Sequence, residues 1–353
     1  MTIALTHSGT AVYSSSSPSR EVLVGTAGGI VTLERLEQRP GSKWRVAADS
    51  LKGSHISAII MPEAGLMLAG IYKGGIMMSR DGAKTWERRD DGIAHRDVYS
   101  LGATRLERRL RLFAGTEPAH LYISDDLGAS WREAPALRSS PNVARWTFPG
   151  PPHDAHVKVI TVAPDDPATI YASVEQGDLL KSVDAGETWH QLTGFGPEFD
   201  SDVHRLVIHP KTPRRLYMMG GMGLWVSDDG GNKWERRTDA HSAIGAYPDQ
   251  LTYLPSRADM IIASGARGNP PTWFQTGSAG SRIGCSRDAG RTWEVMRNGL
   301  PAPEQWQSSI EAMSLEEWGS SFSVFVATTA GEVFATDDGG ENWALIANGL
   351  API

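Results

Sequence analysis

The chain has 353 residues, of which 40% are hydrophobic, and it contains 38 glycines and 21 prolines. These proportions are typical of a globular core built from many short elements with turns between them, which favours an all-β protein. The charge balance, 34 Lys and Arg against 41 Asp and Glu, lacks the basic excess that binds a phosphate backbone, so no nucleic-acid partner is expected.

Features near the start of the chain and its cysteine content bear on the compartment. The first 22 residues lack a basic segment followed by a sustained apolar one, which argues against a signal peptide. The longest apolar stretch, residues 56–72, is interrupted by Pro62 and Glu63, so no membrane span is expected. The single Cys285 excludes an internal disulfide and fits a reducing compartment. We expect a soluble, cytoplasmic protein.

One octapeptide recurs along the chain, and each copy reads as a tight turn. Its serine and aspartate can cap free backbone N–H groups, its glycine can adopt a backbone conformation that other residues disfavour, and its tryptophan can pack between sheets. A worn seventh copy ends in Gly-Ser-Lys-Trp at residue 44. The complete copies occupy residues 79–86, 124–131, 182–189, 227–234, 286–293 and 336–343.

These octapeptides resemble the Asp-box, or BNR, repeats of sialidases, xyloglucan-degrading glycosidases, sortilin-type receptors and the photosystem II stability and assembly factor. The resemblance implies a single seven-bladed β-propeller over residues 1–353, with four-stranded antiparallel blades and each box between the third and fourth strands. The flanking sequence agrees. The apolar segments 97–103, 111–115 and 121–123 precede the box at 124–131 as three short strands.

Two segments lengthen the spacing between boxes and would emerge on the face opposite them. One, at 137–156, lies between the last strand of the third blade and the first strand of the fourth; the other, at 265–282, lies between the second and third strands of the sixth. Both contain proline and aromatic residues. We expect them to roof the channel mouth, where propeller ligands usually bind.

Each predicted inner strand has an apolar position that aligns it with the others, and polar residues stand on either side of it. Packed blades usually have small apolar residues at those flanking positions. Clustered acids, bases and imidazoles at a channel mouth suggest acid–base chemistry. The candidate catalytic residues are His55, Asp97, Tyr99, His156, Lys158, Glu175, Asp202, His204 and Glu311. The candidate substrate-binding residues are His95, Arg96, Glu117, His120, Trp146, Arg205, Tyr247, Trp273 and Trp306.

Three of the histidines raise the possibility of a metal cofactor. His55, His156 and His204 flank the anchors of three inner strands and have acids beside them. Imidazole and carboxylate together are common ligands of divalent metals. One divalent ion held by these histidines is therefore the cofactor hypothesis.

The sequence predicts a hydrolase or lyase that acts on a small-molecule or carbohydrate ligand in this pocket. The alternative is a noncatalytic protein-binding or assembly-factor propeller. A sialidase assignment is disfavoured, since the family has six blades and an Arg-Ile-Pro-like segment, whereas this chain has seven repeats and no such segment. No nucleophile elbow, phosphate-binding loop or HExxH motif is present, and the substrate and oligomeric state stay open.

Overall fold

The computed structural model describes residues 1–193, 201–239 and 241–353. Within them the strands form seven sheets, which are the four-stranded blades of a β-propeller, as predicted, and two of these sheets gain a short fifth strand from the N-terminal segment. From the channel outward, the inner strands are Thr2–Leu5, His55–Glu63, Asp97–Leu106, Val157–Val162, Val203–Ile208, Tyr247–Leu254 and Ile310–Trp318. The second strands are Glu21–Thr26, Leu66–Tyr72, Arg109–Glu117, Ile170–Val174, Leu216–Gly220, Arg257–Ala266 and Ser321–Thr328.

The two outer positions of each blade complete the sheets, and a box hairpin joins them. The third strands are Gly29–Arg35, Gly75–Ser79, Leu121–Ser124, Leu179–Ser182, Gly223–Ser227, Arg282–Ser286 and Val333–Thr336. The outer strands are Trp44–Ser50, Glu87–Arg88, Arg132–Glu133, His190–Thr193, Glu235–Arg236, Glu294–Met296 and Ala344–Ala347. We call the face with these hairpins the box face and the opposite one the mouth face.

The octapeptide turns have the hydrogen bonds that their residue types predict. In the fourth blade, Ser182 Oγ donates to Asp184 Oδ1 at 2.7 Å and accepts from the Gly186 amide at 2.8 Å. Asp184 also accepts the amide of Thr188 at 2.8 Å, and Trp189 Nε1 donates to the Gly186 carbonyl at 3.1 Å. Gly186 has a φ of 92°, where glycine is favoured. Apolar clusters between neighbouring blades form the core.

The N-terminal residues run inside the channel, an arrangement that the repeats do not predict. Thr2–Leu5 pairs in parallel with Glu21–Thr26 and so takes the inner position of the first blade. Ser8–Gly9 then pairs in parallel with the inner strand of the second blade, and Val12–Ser15 with that of the seventh. Because second strands run towards the mouth face and inner strands away from it, residues 2–15 form a loop that rises from the box face and returns. We call it the channel loop.

Buried hydrogen bonds hold the channel loop in place. The amide of Ala4 donates to the Tyr13 hydroxyl at 3.0 Å, across the two arms of the loop. The carboxylate of Glu316, which is fully buried, accepts the Ser15 hydroxyl and the Ser19 amide, both at 2.8 Å. Gly9 has a φ of 107°, and a Cβ there would lie 2.3 Å from a backbone carbonyl oxygen. The loop is therefore held by buried hydrogen bonds and by close contact with the backbone of the second blade.

A buried ion pair joins the first and seventh blades. Arg35 has no exposed side-chain surface, and its guanidinium donates to both carboxylate oxygens of Asp337, at 2.6 and 2.8 Å. The same guanidinium lies over the Trp44 ring, 4.4 Å from its centroid. Such fork-like pairing fixes geometry as well as charge, so it locks the seam between the first and last blades of the chain.

The two insertions contain the helices of the described residues. Two 3-10 helices belong to the first insertion, Pro135–Ser139 at its start and Val143–Arg145 within it, and Pro270–Thr276 is an α-helix in the second. Their connections are those predicted, so both segments lie on the mouth face. No helix among the described residues is long and apolar enough to cross a membrane.

Candidate functional site

A break in strand pairing recurs near the mouth end of the inner strands of blades two to seven. In each, the register with the second strand skips a residue, which marks a β-bulge. Bulges turn a side chain out of the regular alternation and often occur beside functional sites. The residues at the skip, with Gln250 also skipped in the sixth blade, are Ser57, Tyr99, Lys158, His204, Asp249 and Glu311.

A cavity of about 680 Å³ opens on the mouth face beside four of these residues. Its polar wall combines bulge residues with neighbouring acids and consists of Lys158, Glu175, Asp202, His204, Asp249 and Glu311. Both insertions border it, the first through residues 148–150 and the second through Asn269, Pro270, Pro271, Trp273 and Phe274. The predicted meeting of inner-strand polar residues and aromatic insertions is therefore present in the geometry.

His204 lies among oxygen acceptors at the centre of this wall. Its Nε2 is 3.4 Å from an Asp202 oxygen, and its Nδ1 is 2.9 Å from the Pro248 carbonyl and 3.9 Å from Asp249. Burial alone would lower the pKa of His204, but hydrogen bonding and attraction from Asp202, with Asp249, raise it to about 10. The imidazole is therefore a cation at neutral pH.

Asp249 and Glu311 have pKa values shifted in opposite directions. Burial and the negative charge of Glu311 raise the pKa of Asp249 to about 7, although His204 opposes the shift. Burial would also raise the pKa of Glu311, but the hydrogen bond with His7 and further interactions lower it to about 2. One carboxyl thus keeps a proton near neutrality while the other is ionised, which is the separation that acid and base roles require.

A network of ionisable side chains extends from the cavity wall in the fourth blade to Glu117 in the third blade. Lys158 Nζ lies 2.9 Å from Glu175 Oε2, and His156 Nε2 is hydrogen-bonded to the same oxygen. The other nitrogen of His156 is 3.1 Å from Glu117, and Tyr99 stacks on its ring at 3.7 Å. Burial would raise the pKa of Glu175, yet Lys158 and His156 hold it well below its usual range. His156 lies between these two carboxyl groups, has no exposed surface and lines neither mouth cavity.

A second cavity, of about 310 Å³, adjoins the first on the mouth face. Tyr72 and Tyr99 supply aromatic walls, and the Tyr72 hydroxyl donates to Glu117 at 2.9 Å. His55 is exposed and meets the Tyr72 ring edge-on at 5.6 Å. Glu311 and the segment around Phe148 line both cavities, so they form the boundary between the two.

The donor atoms closest to a metal-like arrangement are not the three predicted histidines. Among the described residues, ligand atoms of Glu175, Asp202 and His204 lie within 4.8 Å of one another. Both nitrogens of His204 face oxygens, and Glu175 is paired with Lys158 and His156. These donors therefore already form an ion-pair network, and a metal role for His55, His156 and His204 stays a prediction.

Four predicted residues lie on the rim, away from both mouth cavities. His95 stacks on His120 at 4.2 Å, and His120 Nδ1 is 2.8 Å from Glu133 on an outer strand. Arg96 is largely exposed, and its Nε lies 3.8 Å from a carboxylate oxygen of Asp90. Asp97 pairs with Glu117 across the strands but does not line either cavity. Their predicted roles have no support in this geometry.

Three further substrate-binding predictions need correction, because the side chains have structural partners. Trp306 is only 2% exposed and packs in the core against Phe334, so it cannot wall a pocket. Trp146 packs against the core of its blade and donates to Asp178 at 3.0 Å. Arg205 lines a cavity further down the channel, towards the box face, and donates to the His7 carbonyl at 3.3 Å. Tyr247 and Trp273, in contrast, do line the larger mouth cavity.

The sequence reasoning missed His7 and Tyr72. His7 lies at the top of the channel loop, with Nδ1 3.4 Å from Glu311 and its ring edge-on to Tyr99 at 6.3 Å. A signal did exist, since the first repeat has only three strands after residue 20 and an apolar segment, Thr-Ile-Ala-Leu, precedes it. This segment could therefore have been predicted to supply the inner strand of the first blade.

Comparison with known proteins gives partial matches of several kinds. The family model Sortilin-Vps10, described as sortilin, neurotensin receptor 3, matches residues 177–317. A xyloglucanase of Acetivibrio thermocellus is 27% identical over 222 residues, which are 52% of this chain and 25% of that protein. The chain spans a quarter or less of the length of the xyloglucanases it matches.

Solved structures show the same fold at low identity. An ancestral GH74 enzyme superimposes with a TM-score of 0.65 at 16% identity, over 83% of this chain and 38% of that one. YCF48 from Cyanidioschyzon merolae superimposes with a TM-score of 0.60 at 14% identity, over 95% and 94% of the two chains. At these identities the likeness concerns architecture alone.

Proposed function

We propose that this chain, a seven-bladed β-propeller of the Asp-box (BNR-like) family, is a hydrolase or lyase that acts on a carbohydrate or similarly polar small molecule in the 680 Å³ cavity. The observation that carries the proposal is Asp249, a carboxyl at the cavity wall whose pKa is raised to about 7. A proton-holding acid beside ionised carboxylates is the arrangement that general acid catalysis needs.

The walls of the cavity suit a sugar-like ligand. Trp273 meets Tyr247 edge-on at 5.9 Å, and Phe274 is 86% exposed at the rim. Aromatic faces pack against the C–H surface of a ring while the acids and His204 offer hydrogen bonds to hydroxyl groups. The xyloglucanase relatives support a carbohydrate as the first class of ligand to test.

The chemistry assigns different tasks to the carboxyl groups. Asp249 donates its proton to the oxygen that leaves, while an ionised carboxylate such as Glu175 stabilises positive charge that develops on the ligand. Lys158 keeps Glu175 ionised, and the ion pairs with Lys158 and His204 hold the carboxyl groups of Glu175 and Asp202 in place. Trp273 and the segment around Phe148 limit the access of bulk water.

The test is cleavage of a panel of oligosaccharides and aryl glycosides, starting with xyloglucan fragments, by wild type and Asp249→Asn. We expect Asp249→Asn to lower kcat by roughly 10²–10⁴ on a natural sugar leaving group. The loss should be much smaller on a nitrophenyl leaving group, which departs without protonation. Asp165→Asn makes the same chemical change at an exposed site on the box-face side and should leave both rates unchanged.

An equal loss on both leaving groups would contradict the acid role of Asp249. Binding of a protein or peptide, without cleavage of any compound, would instead favour the assembly-factor alternative. The likeness to YCF48 supports that alternative only in its fold. Elemental analysis of the purified wild type and of His204→Asn tests metal assistance. One equivalent of a divalent metal that is lost in the variant would support it.

A further inference from the structure

The channel loop brings a histidine to the mouth of the propeller, next to a carboxylate that lines both cavities. His7 Nδ1 is 3.4 Å from Glu311 Oε2, and Ser309 Oγ donates to the other Glu311 oxygen at 2.7 Å. His7 Nε2 is buried and has no hydrogen-bond partner among the described residues. A buried polar atom left in this way calls for an explanation, and a catalytic role is one of the few.

We propose that His7 and Glu311 form an imidazole–carboxylate dyad in which His7 Nε2 is the proton acceptor of the site. The proposal rests on the proposed function, to which it adds the base. Glu311 accepts the Nδ1 proton of His7, which fixes the tautomer and leaves the Nε2 lone pair available. Burial and the positive charge of Lys158 lower the pKa of His7, so that the imidazole is neutral at pH 7.

The position of the dyad complements Asp249. His7 lines the smaller cavity, Asp249 lines the larger one, and Glu311 lines both. In hydrolysis, a water gives one proton to His7 Nε2 while its oxygen bonds to the carbon under attack. The bond from that carbon to the leaving oxygen breaks, and Asp249 gives its proton to that oxygen. Proton transfer from His7 back to Asp249 through solvent then restores both groups.

Backbone contacts of the channel loop hold His7 in a defined position. Arg205 donates to its carbonyl at 3.3 Å, and two residues later Gly9 occupies a position where a Cβ would collide with the Ile59 carbonyl. Ser8 Oγ donates to the carbonyl of Lys158 at 3.3 Å. The loop tip is therefore fastened at His7 and at the two residues that follow it, as a positioned catalytic group requires.

The first test is independent of turnover. Histidine-labelled protein is examined by long-range ¹H–¹⁵N correlation at pH 7, with the His7 signals assigned from a His7→Gln variant. We expect the neutral tautomer with its proton on Nδ1. The imidazolium, or the tautomer with its proton on Nε2, would overturn the dyad.

The second test measures cleavage of whichever substrate the wild type turns over. His7→Gln should lower kcat by roughly 10²–10⁴, and His7→Gly should be partly rescued by added imidazole, which a merely structural role would not allow. Glu311→Gln leaves His7 in place and should lower kcat as well. His190→Gln, at an exposed position on an outer strand, is the matched control. Thermal melting of each variant checks its folding.

The outcomes separate the two proposals. A wild type that cleaves nothing counts against the proposed function, and the tautomer measurement then decides the dyad alone. A wild type that is active, together with a folded His7→Gln variant of equal activity, overturns the dyad and leaves the role of Asp249 standing.

Discussion

Both faces of the propeller repeat one backbone feature from blade to blade: the octapeptide turn on the box face and the inner-strand bulge at the mouth. The two features differ in whether their side chains are conserved between blades. On the box face, serine or threonine, aspartate and tryptophan recur at the same places, and their hydrogen bonds are nearly the same in each complete copy. At the mouth, the inner-strand bulge recurs in blades two to seven, but its residue is different in each of them. A constant side chain at a repeated position indicates stability, whereas a varied one indicates a site.

The largest effect is expected where the box face closes the ring. Arg35→Met leaves Asp337 largely buried and without its charge partner, which should cost about 3–5 kcal/mol of unfolding free energy, as for other broken buried pairs. Urea unfolding measures this. Arg287→Met removes an exposed pair with Glu294 and should cost less than about 1 kcal/mol. Equal costs would mean that the seam contributes no more than the surface does.

At the mouth, replacing Asp249 should raise the free energy of unfolding, whereas replacing Arg35 should lower it. The pKa of Asp249 rises from 3.8 to about 7 on folding, so the folded state holds an extra proton between these values and wild-type stability falls as pH rises through them. Asp249→Asn lacks this penalty. It should be more stable than wild type at pH 8.5, by on the order of 2 kcal/mol, and nearly equal at pH 3.5.

Urea unfolding at the two pH values checks this prediction, with Asp165→Asn, the same chemical change at an exposed site, as the matched control. Stability lost at pH 8.5 in Asp249→Asn would mean that the carboxylate supports the fold. The contrast between a stabilising box face and a catalytic mouth would then weaken.

A single box should matter less than the seam. Asp184→Ala removes the acceptor for the Thr188 amide and hydroxyl and for Ser182 Oγ, and we expect a loss of about 1–2 kcal/mol, similar to the loss of a helix cap. Thermal and urea unfolding should show one cooperative transition at a lower midpoint. An unchanged midpoint would mean that a box can be lost without consequence.

The smallest effect concerns the fourth position of a box. Ala185 has a φ of 57°, so Ala185→Gly relieves backbone strain but adds freedom to the unfolded chain, and the two should cancel to within about 0.5 kcal/mol. Gly186→Ala, at a φ of 92° and with a Cβ 3.0 Å from Phe113, should lose more than about 1 kcal/mol. Matched unfolding curves of the two variants test the difference.

The parts of the fold that repeat could be predicted from the sequence, and the parts that occur once could not. The octapeptides fixed the blade number, the hairpin positions and the face of the insertions, because local turn chemistry specifies them. Lys158, His204 and Glu311 were found through the repeated position that they share. His7 was not, because it belongs to no repeat and reaches Glu311 only through pairing between distant segments.

Misassigned residues show the converse limit. Trp306 and Arg205 have the residue types of a binding site, yet one packs in the core and the other points down the channel. Periodicity tells which strand a residue belongs to, but the direction of a side chain near a bulge or in a long connection depends on tertiary packing. The contacts of the rim residues His95 and His120 were beyond sequence reasoning for the same reason.

The channel loop limits the routes by which a ligand can reach the mouth cavities. Ile3, Ala4, Leu5 and Tyr13 of the channel loop are buried, His7 at its tip lines a mouth cavity, and residues 8–12 line the cavity towards the box face, so the loop lies between the two ends of the channel. We therefore expect that a polymer does not thread through the propeller and that a ligand reaching Asp249 enters and leaves by the same opening on the mouth face. The product of any reaction there therefore competes with the next substrate for that opening.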